Sequence, residues 1–474
     1  MVALRMLFRR SPLAELGPTH KALAQGEYEA AFALLETVAK RPRNLTFQAT
    51  YRLHLAALYA LYEEEGIEGG ALELRTAVGI DQTIVHEPLY QALYWEFAAY
   101  RGESLGEVKL GIREISVLED PIAGYHAACA LLAVDGNKSA AVILDLLGAT
   151  TLPRHLDWRR WSRLGQAQQK LGKFEQAIHC FEQAVALTEG YERESERINL
   201  ASCQFETANH QGALTTLKDV NDEVLGDNEE FAVKRYLLGR IHLENNNPNQ
   251  ALEVLLEGYM IRGLARETAF SIAYAIGQVL MTLGRFKEAV KAFAEAVELS
   301  EGDNRTIALH EQAHALTESK CYAEAQLVYE DILSDPSYAR RVEVFAGLAE
   351  VLFRSGDYEA AETISRRALD NGATAAACFC LGNISFECFR YEDAATWYEK
   401  AASASKKGSP DWVGAQQMLA DVFAQIGSKA APRLLQHAEA AIEYTDPSNE
   451  WHLTLSRYIE LAQSQLRRNS QKVN

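Results

Sequence analysis

The sequence predicts an all-α chain of stacked helical hairpins, and three observations carry that expectation. Apolar residues recur at helical spacing on two successive segments of residues 161–187, with Leu171-Gly172-Lys173 as the turn between them. A small residue recurs near the middle of alternate helices: Cys129, Gly165, Ala201, Gly239, Gly277, Ala313, Ala349, Gly382 and Ala420. An alanine then follows twelve residues later at Ala213, Ala251, Ala289, Ala325, Ala361 and Ala394. Six matches in phase are hard to obtain by chance, and small side chains at a fixed spacing are what closely packed helix pairs require.

Within the first of these hairpins, Trp161, Leu164, Gly165, Ala177 and Phe181 fall at the spacing W-x2-L-G followed by A-x3-F. The stretch resembles a tetratricopeptide repeat, with Gln168 in place of the usual Tyr and Glu189 in place of the usual Pro. The resemblance implies a right-handed superhelical solenoid of about eleven or twelve hairpins, its inner surface lined by first helices, with a C-terminal capping helix. Most spacings exceed the family's usual length of about 34 residues. Thirty-eight residues separate Ala201 from Gly239, and again Gly239 from Gly277; longer repeats of this kind are similar to those of sensor and regulator arrays.

Taken in order, residues 1–10 form an N-terminal tail and the array starts near Ser11. Residues 19–38 give a first hairpin with Gly26 and Tyr28 at its turn. Degenerate hairpins occupy 11–152, with helical segments at 51–61, 71–78, 89–100 and 105–115, and the run Glu63-Glu64-Glu65 as a solvated helix end. Pro121 opens a hairpin that turns at Gly136. The regular array spans 153–445, its clearest further copies being 283–299, 355–369 and 389–402. Beyond Ala420 the phase slips, because Pro432 stands where an alanine is due. A capping helix at 446–468 and a disordered tail at 469–474 complete the expectation.

Composition narrows the function classes. Hydrophobic residues make up 48% of the 474 and charged residues 24%, enough apolar material for a continuous core. A net charge of -18 opposes nucleic-acid phosphates and anionic membrane surfaces, and favours basic or neutral polypeptide partners. Seven scattered cysteines read as small buried hydrophobes in a reducing compartment, and Cys378-x-Cys380 lacks the second pair that a zinc site needs. MVALRMLFRR holds no apolar run of secretory length and no later segment is long enough to cross a bilayer, so a cytoplasmic protein is expected.

The resemblance also implies where ligands bind. Positions three before, one after and four after each small residue face inward in the family, which gives Tyr236, Arg240 and Leu243, then Tyr274, Gln278 and Met281, then His310, His314 and Thr317. Tyr236, Arg240, Tyr274, Gln278, His310 and His314 are the binding candidates, since such side chains offer broad contact and directional hydrogen bonds to a peptide. The family's clamp for a chaperone C-terminus is not met: Ser162 and Gln166 stand where Lys and Asn would be, leaving only Asn199 in place. His310-Glu311-Gln312-Ala313-His314 matches the HExxH of zinc peptidases, with Glu330 or Asp331 the nearest candidates for a third ligand. That motif sits in a packing helix without a downstream ligand set. The expected function is a non-catalytic scaffold that binds a protein or peptide and needs no cofactor. A free-standing peptide sensor is the alternative, and a zinc metallopeptidase the remote one.

Overall fold

The computed structural model describes residues 17–24, 28–39, 45–61, 66–335, 338 and 340–473. Ser11, Gly26, the Glu63-Glu64-Glu65 run and the 1–10 tail lie outside the described residues. The chain is all-α, with no strand among the described residues, and falls into two compact units, Met1–Ile241 and His242–Asn474.

In the second unit the hairpins follow one another regularly: Arg266–Thr282 with Phe286–Leu299, Gly302–Glu318 with Tyr322–Ser334, Arg341–Ser355 with Tyr358–Asp370, and Thr374–Glu387 with Tyr391–Ala404. The alanine spacing read from the sequence is the packing register. Ala251, Ala289, Ala325, Ala361 and Ala394 are all fully buried, as are Ala177 and Ala213 in the first unit. In three hairpins a large ring four residues further along the second helix fills the space between the two helices and leaves room only for glycine opposite. A Cβ on Gly165 would lie 2.7 Å from the Phe181 ring, one on Gly277 2.5 Å from Phe293, and one on Gly382 2.6 Å from Tyr398. Where the second helix carries the smaller Leu217, the first carries Ala201, which keeps its methyl. Tyr329 is accommodated differently. Its ring closes on Gly347 of the following hairpin, where a Cβ would meet it at 2.6 Å, so Ala313 stays at the position where glycine would otherwise be needed.

The turns share a register as well. Seven residues after each small residue the backbone adopts positive φ, at Gly172, Ala208, Asn246, Gly284, Lys320, Gly356 and Phe389, which ends the first helix and redirects the chain into the second. This corrects one hairpin. Asp135 has φ 56° and Ala140 is fully buried, so the packing residue of Pro121–Leu132 is Ala128, with Cys129 one position off. The slip beyond Ala420 also has a simple form. A short 3-10 turn, Ser428–Ala430, lies between Pro410–Ile426 and Ala431–Ile442, which places Pro432 in the first turn of its helix, where a missing N–H costs little. Leu434 and Ala438 then exchange the small and large positions, and both are fully buried. The closing helix, Glu450–Val473, buries Leu455 and Ala462 and runs on past Arg468 through residues expected to be a tail.

In the first unit the helices match the expected degenerate segments: Leu45–Tyr59, Ile67–Ile80, Pro88–Tyr100 and Leu105–Ile112. Packing there is not confined to neighbouring hairpins. One core runs from Ala49 to Cys180, and the helix Gly17–Ala24 touches Arg154–Lys170. Inside this core the Glu96 and His126 side chains are sealed from solvent, with Oε2 2.7 Å from Nδ1. Burial raises the Glu96 carboxyl above its ordinary range, with His126 opposing the shift. The extra residues behind the long Ala201–Gly239 spacing form a separate short helix, Asp222–Leu225, between hairpins.

Candidate functional site

In the second unit the first helix Gly302–Glu318 touches Arg341–Ser355, which touches Thr374–Glu387, which in turn touches Pro410–Ile426. Gly302–Glu318, Arg341–Ser355, Thr374–Glu387 and Pro410–Ile426 together line a groove of about 1100 Å³. Its lining includes small residues, Ala346 and Ala376 among them, and two half-buried rings, Phe353 and Phe379.

Two of the sequence candidates, His310 and His314, lie on this lining. His314 is exposed. His310 is half-buried with its ring edge-on to Tyr329, centroids 5.9 Å apart, and its Nδ1 is buried without a hydrogen bond to protein. Burial first, and then the Arg340 charge, hold its imidazole down at about 4, so it is neutral at physiological pH. The intervening Glu311 also lines the groove. No group of three His, Cys, Asp or Glu side chains is placed to hold a metal ion among the described residues.

The sequence reading missed Glu350, Phe353, Phe379 and Asn383, although its own positional rule reaches them when carried two hairpins further, to Ala349 and Gly382. Asn383 is held in place by Tyr398, whose hydroxyl donates to Asn383 Oδ1 at 2.6 Å, a bond that uses the amide oxygen and not its N–H groups. Arg354 bridges Glu318 at 2.8 Å and Glu350 at 2.7 Å, and Arg340 lies 3.6 Å from Glu343.

The remaining candidates make contacts within their own units. Tyr236 and Arg240 are half-buried, and Arg240 Nη1 donates to the Tyr236 hydroxyl at 2.8 Å while its guanidinium sits 5.2 Å from the Phe205 ring. Tyr274 packs between Phe270 and Phe293, with centroids 5.9 and 5.6 Å away. Gln278 is half-buried one turn further on. The cysteines are free thiols, buried except for the half-buried Cys321 and the exposed Cys388. Burial pushes the Cys180 and Cys380 thiols up to about 11 and Cys203 to about 12, which keeps them protonated and unreactive.

Tetratricopeptide repeat family models match residues 158–190, 270–303 and 346–410. Those segments are tetratricopeptide repeats. Its fold is similar to that of a tetratricopeptide repeat protein from Parabacteroides merdae, at 17% identity and a TM-score of 0.39, over 52% of this chain and 93% of that one. It is also similar to the apo form of the quorum sensor NprR from B. thuringiensis, at 14% identity and a TM-score of 0.49, over 75% and 97% of the two chains. No functionally curated protein matches the sequence. Tetratricopeptide repeats in general mediate protein–protein interaction and are typically non-catalytic. No helix among the described residues is long and apolar enough to cross a membrane.

Proposed function

We propose that this tetratricopeptide repeat protein is a non-catalytic adaptor that holds a segment of a partner polypeptide in the groove running from His310 to Gly414. The observation that carries this reading is the groove itself. Four first helices contribute to its lining, small alanines and two phenylalanines stand in it, and the Tyr398 hydroxyl bonds the Asn383 amide oxygen. Alanines in the lining let a backbone approach closely, the two phenylalanines offer anchoring surface, and an Asn amide whose oxygen is already engaged keeps its N–H groups for a peptide carbonyl. Tyr236, Arg240, Tyr274 and Gln278 are assigned to packing within the stack, because the contacts of the first three are to neighbouring rings and hydroxyls. The acidic chain argues against a nucleic-acid partner, and the free buried thiols fit a cytoplasmic setting.

Photo-crosslinking tests the proposal. A photoreactive phenylalanine analogue replacing His314, which is exposed in the groove, is expected to capture a polypeptide from cell extract. The same analogue at the exposed second-helix position Lys287 is expected to capture none. Adducts formed at Lys287 and absent at His314 would move the binding surface to another face.

A further inference from the structure

Resting on the groove reading above, we infer that the segment it takes is cationic, a stretch of extended polypeptide carrying Lys or Arg side chains toward both ends. Six formal charges line the groove: the carboxylates of Glu311, Glu343, Glu350 and Asp411, and the guanidinium groups of Arg340 and Arg354. Both guanidinium groups already have acidic neighbours. Arg354 bridges Glu318 and Glu350 at 2.8 and 2.7 Å, and Arg340 Nε lies 3.6 Å from Glu343. Glu311 and Asp411 make no ion pair among the described residues. His310, neutral at physiological pH, adds no compensating charge.

The two carboxylates without an ion pair stand on the first and the last of the four first helices, Gly302–Glu318 and Pro410–Ile426. Three steps between neighbouring helices, each of about 8–10 Å, separate those helices. An extended chain rises about 3.3 Å per residue, so roughly eight or nine residues reach from one carboxylate to the other. Ala346 and Ala376 put only small side chains in the lining between them. A segment with a basic side chain toward each end and small or apolar residues between them matches both the charge and the length. An acidic segment, or a chain ending in a free carboxylate, would bring like charge against Glu311 or Asp411 with no unengaged guanidinium in the lining to receive it.

The test uses the full chain and three pools of synthetic peptides about nine residues long. The pools share the same mixed Ala, Leu, Phe and Ser interior and differ only in carrying Lys, Ser or Glu near the two ends. Fluorescence anisotropy at low and high salt should rank the Lys pool tightest and weaken it as salt rises. Glu311→Gln and Asp411→Asn should each lower Lys-pool affinity by about two- to fivefold, in keeping with partly solvated pairs, and leave the Ser pool unchanged. The second-helix control Glu359→Gln should change neither. A Glu pool that binds as well as the Lys pool, or Lys-pool binding indifferent to both substitutions, would overturn the cationic assignment and leave the groove as a segment site. Failure of every pool to bind would overturn both.

Discussion

The Cα of Gly277 faces the ring of Phe293 so closely that a Cβ would sit 2.5 Å from Phe293 Cε1. Phe293 is fully buried, so the ring has no room to withdraw. Gly277→Ala gains about 1 kcal/mol of helix propensity, yet the overpacking costs about 1–3 kcal/mol, and a net loss of stability is expected. Gly277→Ala combined with Phe293→Leu recreates the Ala201–Leu217 arrangement found elsewhere in the chain, so the double variant should recover part of the loss. Urea titrations of the two variants check this. A single variant more stable than the parent would mean that these helices are not in close contact.

Ala177 and Ala289 test the second-helix side of the same contact. Both are fully buried, and replacing either with Leu forces two helices apart at an expected cost of about 1–3 kcal/mol. Glu175→Gln, on the exposed side of the same helix as Ala177, should change little. Thermal melts that find both alanine replacements neutral would contradict the packing register.

The turn geometry predicts gains in stability. Ala208 and Lys320 adopt φ of 59° and 64°, a left-handed conformation that costs a residue with a Cβ about 1–2 kcal/mol. Glycine relieves that strain but adds freedom to the unfolded chain, so Ala208→Gly and Lys320→Gly should each stabilise by about 0.5–1 kcal/mol. Gly284, at φ 69° in the equivalent position, should show the reverse sign when replaced by Ala.

His437 gives the fold a pH dependence. Its Nδ1 lies 2.6 Å from Gln416 Oε1, its ring stacks on Phe423 at 5.4 Å, and burial, with Arg433 adding to it, holds its imidazole down at about 4. An unfolded histidine takes up its proton near 6.5. The unfolded state therefore binds the proton first as pH falls. The stability is fully present above about pH 6.5 and is lost progressively down to about pH 4, by up to about 3 kcal/mol. His310 contributes in the same direction. Denaturant titrations between about pH 7 and 4.5 should show a shallower pH slope in His437→Gln than in the parent.

Much of the fold was legible because it rests on a small set of spacings. The alanine twelve residues after each small residue marks a helix contact that tolerates nothing larger, and the structure buries these alanines completely from Ala213 to Ala394. Where the register depends on a compensating change, the sequence alone misleads. Cys129 and Ala128 are both small, and the positive φ at Asp135 with the buried Ala140 identifies Ala128 as the packing residue. Gly347 carries no repeat signal, because it serves the Tyr329 ring of the preceding hairpin. The contact between Gly17–Ala24 and Arg154–Lys170 joins distant hairpins and leaves no periodic trace. At the candidate site, the positional rule placed His310 and His314 on the groove, whereas Tyr274 obeys the same rule and packs against Phe293. A position on a helix fixes direction, but the neighbouring side chain decides whether that direction ends in solvent or in a ring.

Whether the groove between His310 and Gly414 holds a partner segment is tested by titrating the captured segment against a blocked groove. Ala376 is exposed in the groove lining, in the first turn of Thr374–Glu387, so Ala376→Trp fills the path without touching the buried contacts. The partner segment recovered by crosslinking at position 314 should bind Ala376→Trp at least about tenfold more weakly than the parent, a difference of about 1.4 kcal/mol. It should bind Lys287→Ala as it binds the parent. Equal affinity for all three proteins, with unchanged circular dichroism, would contradict the account.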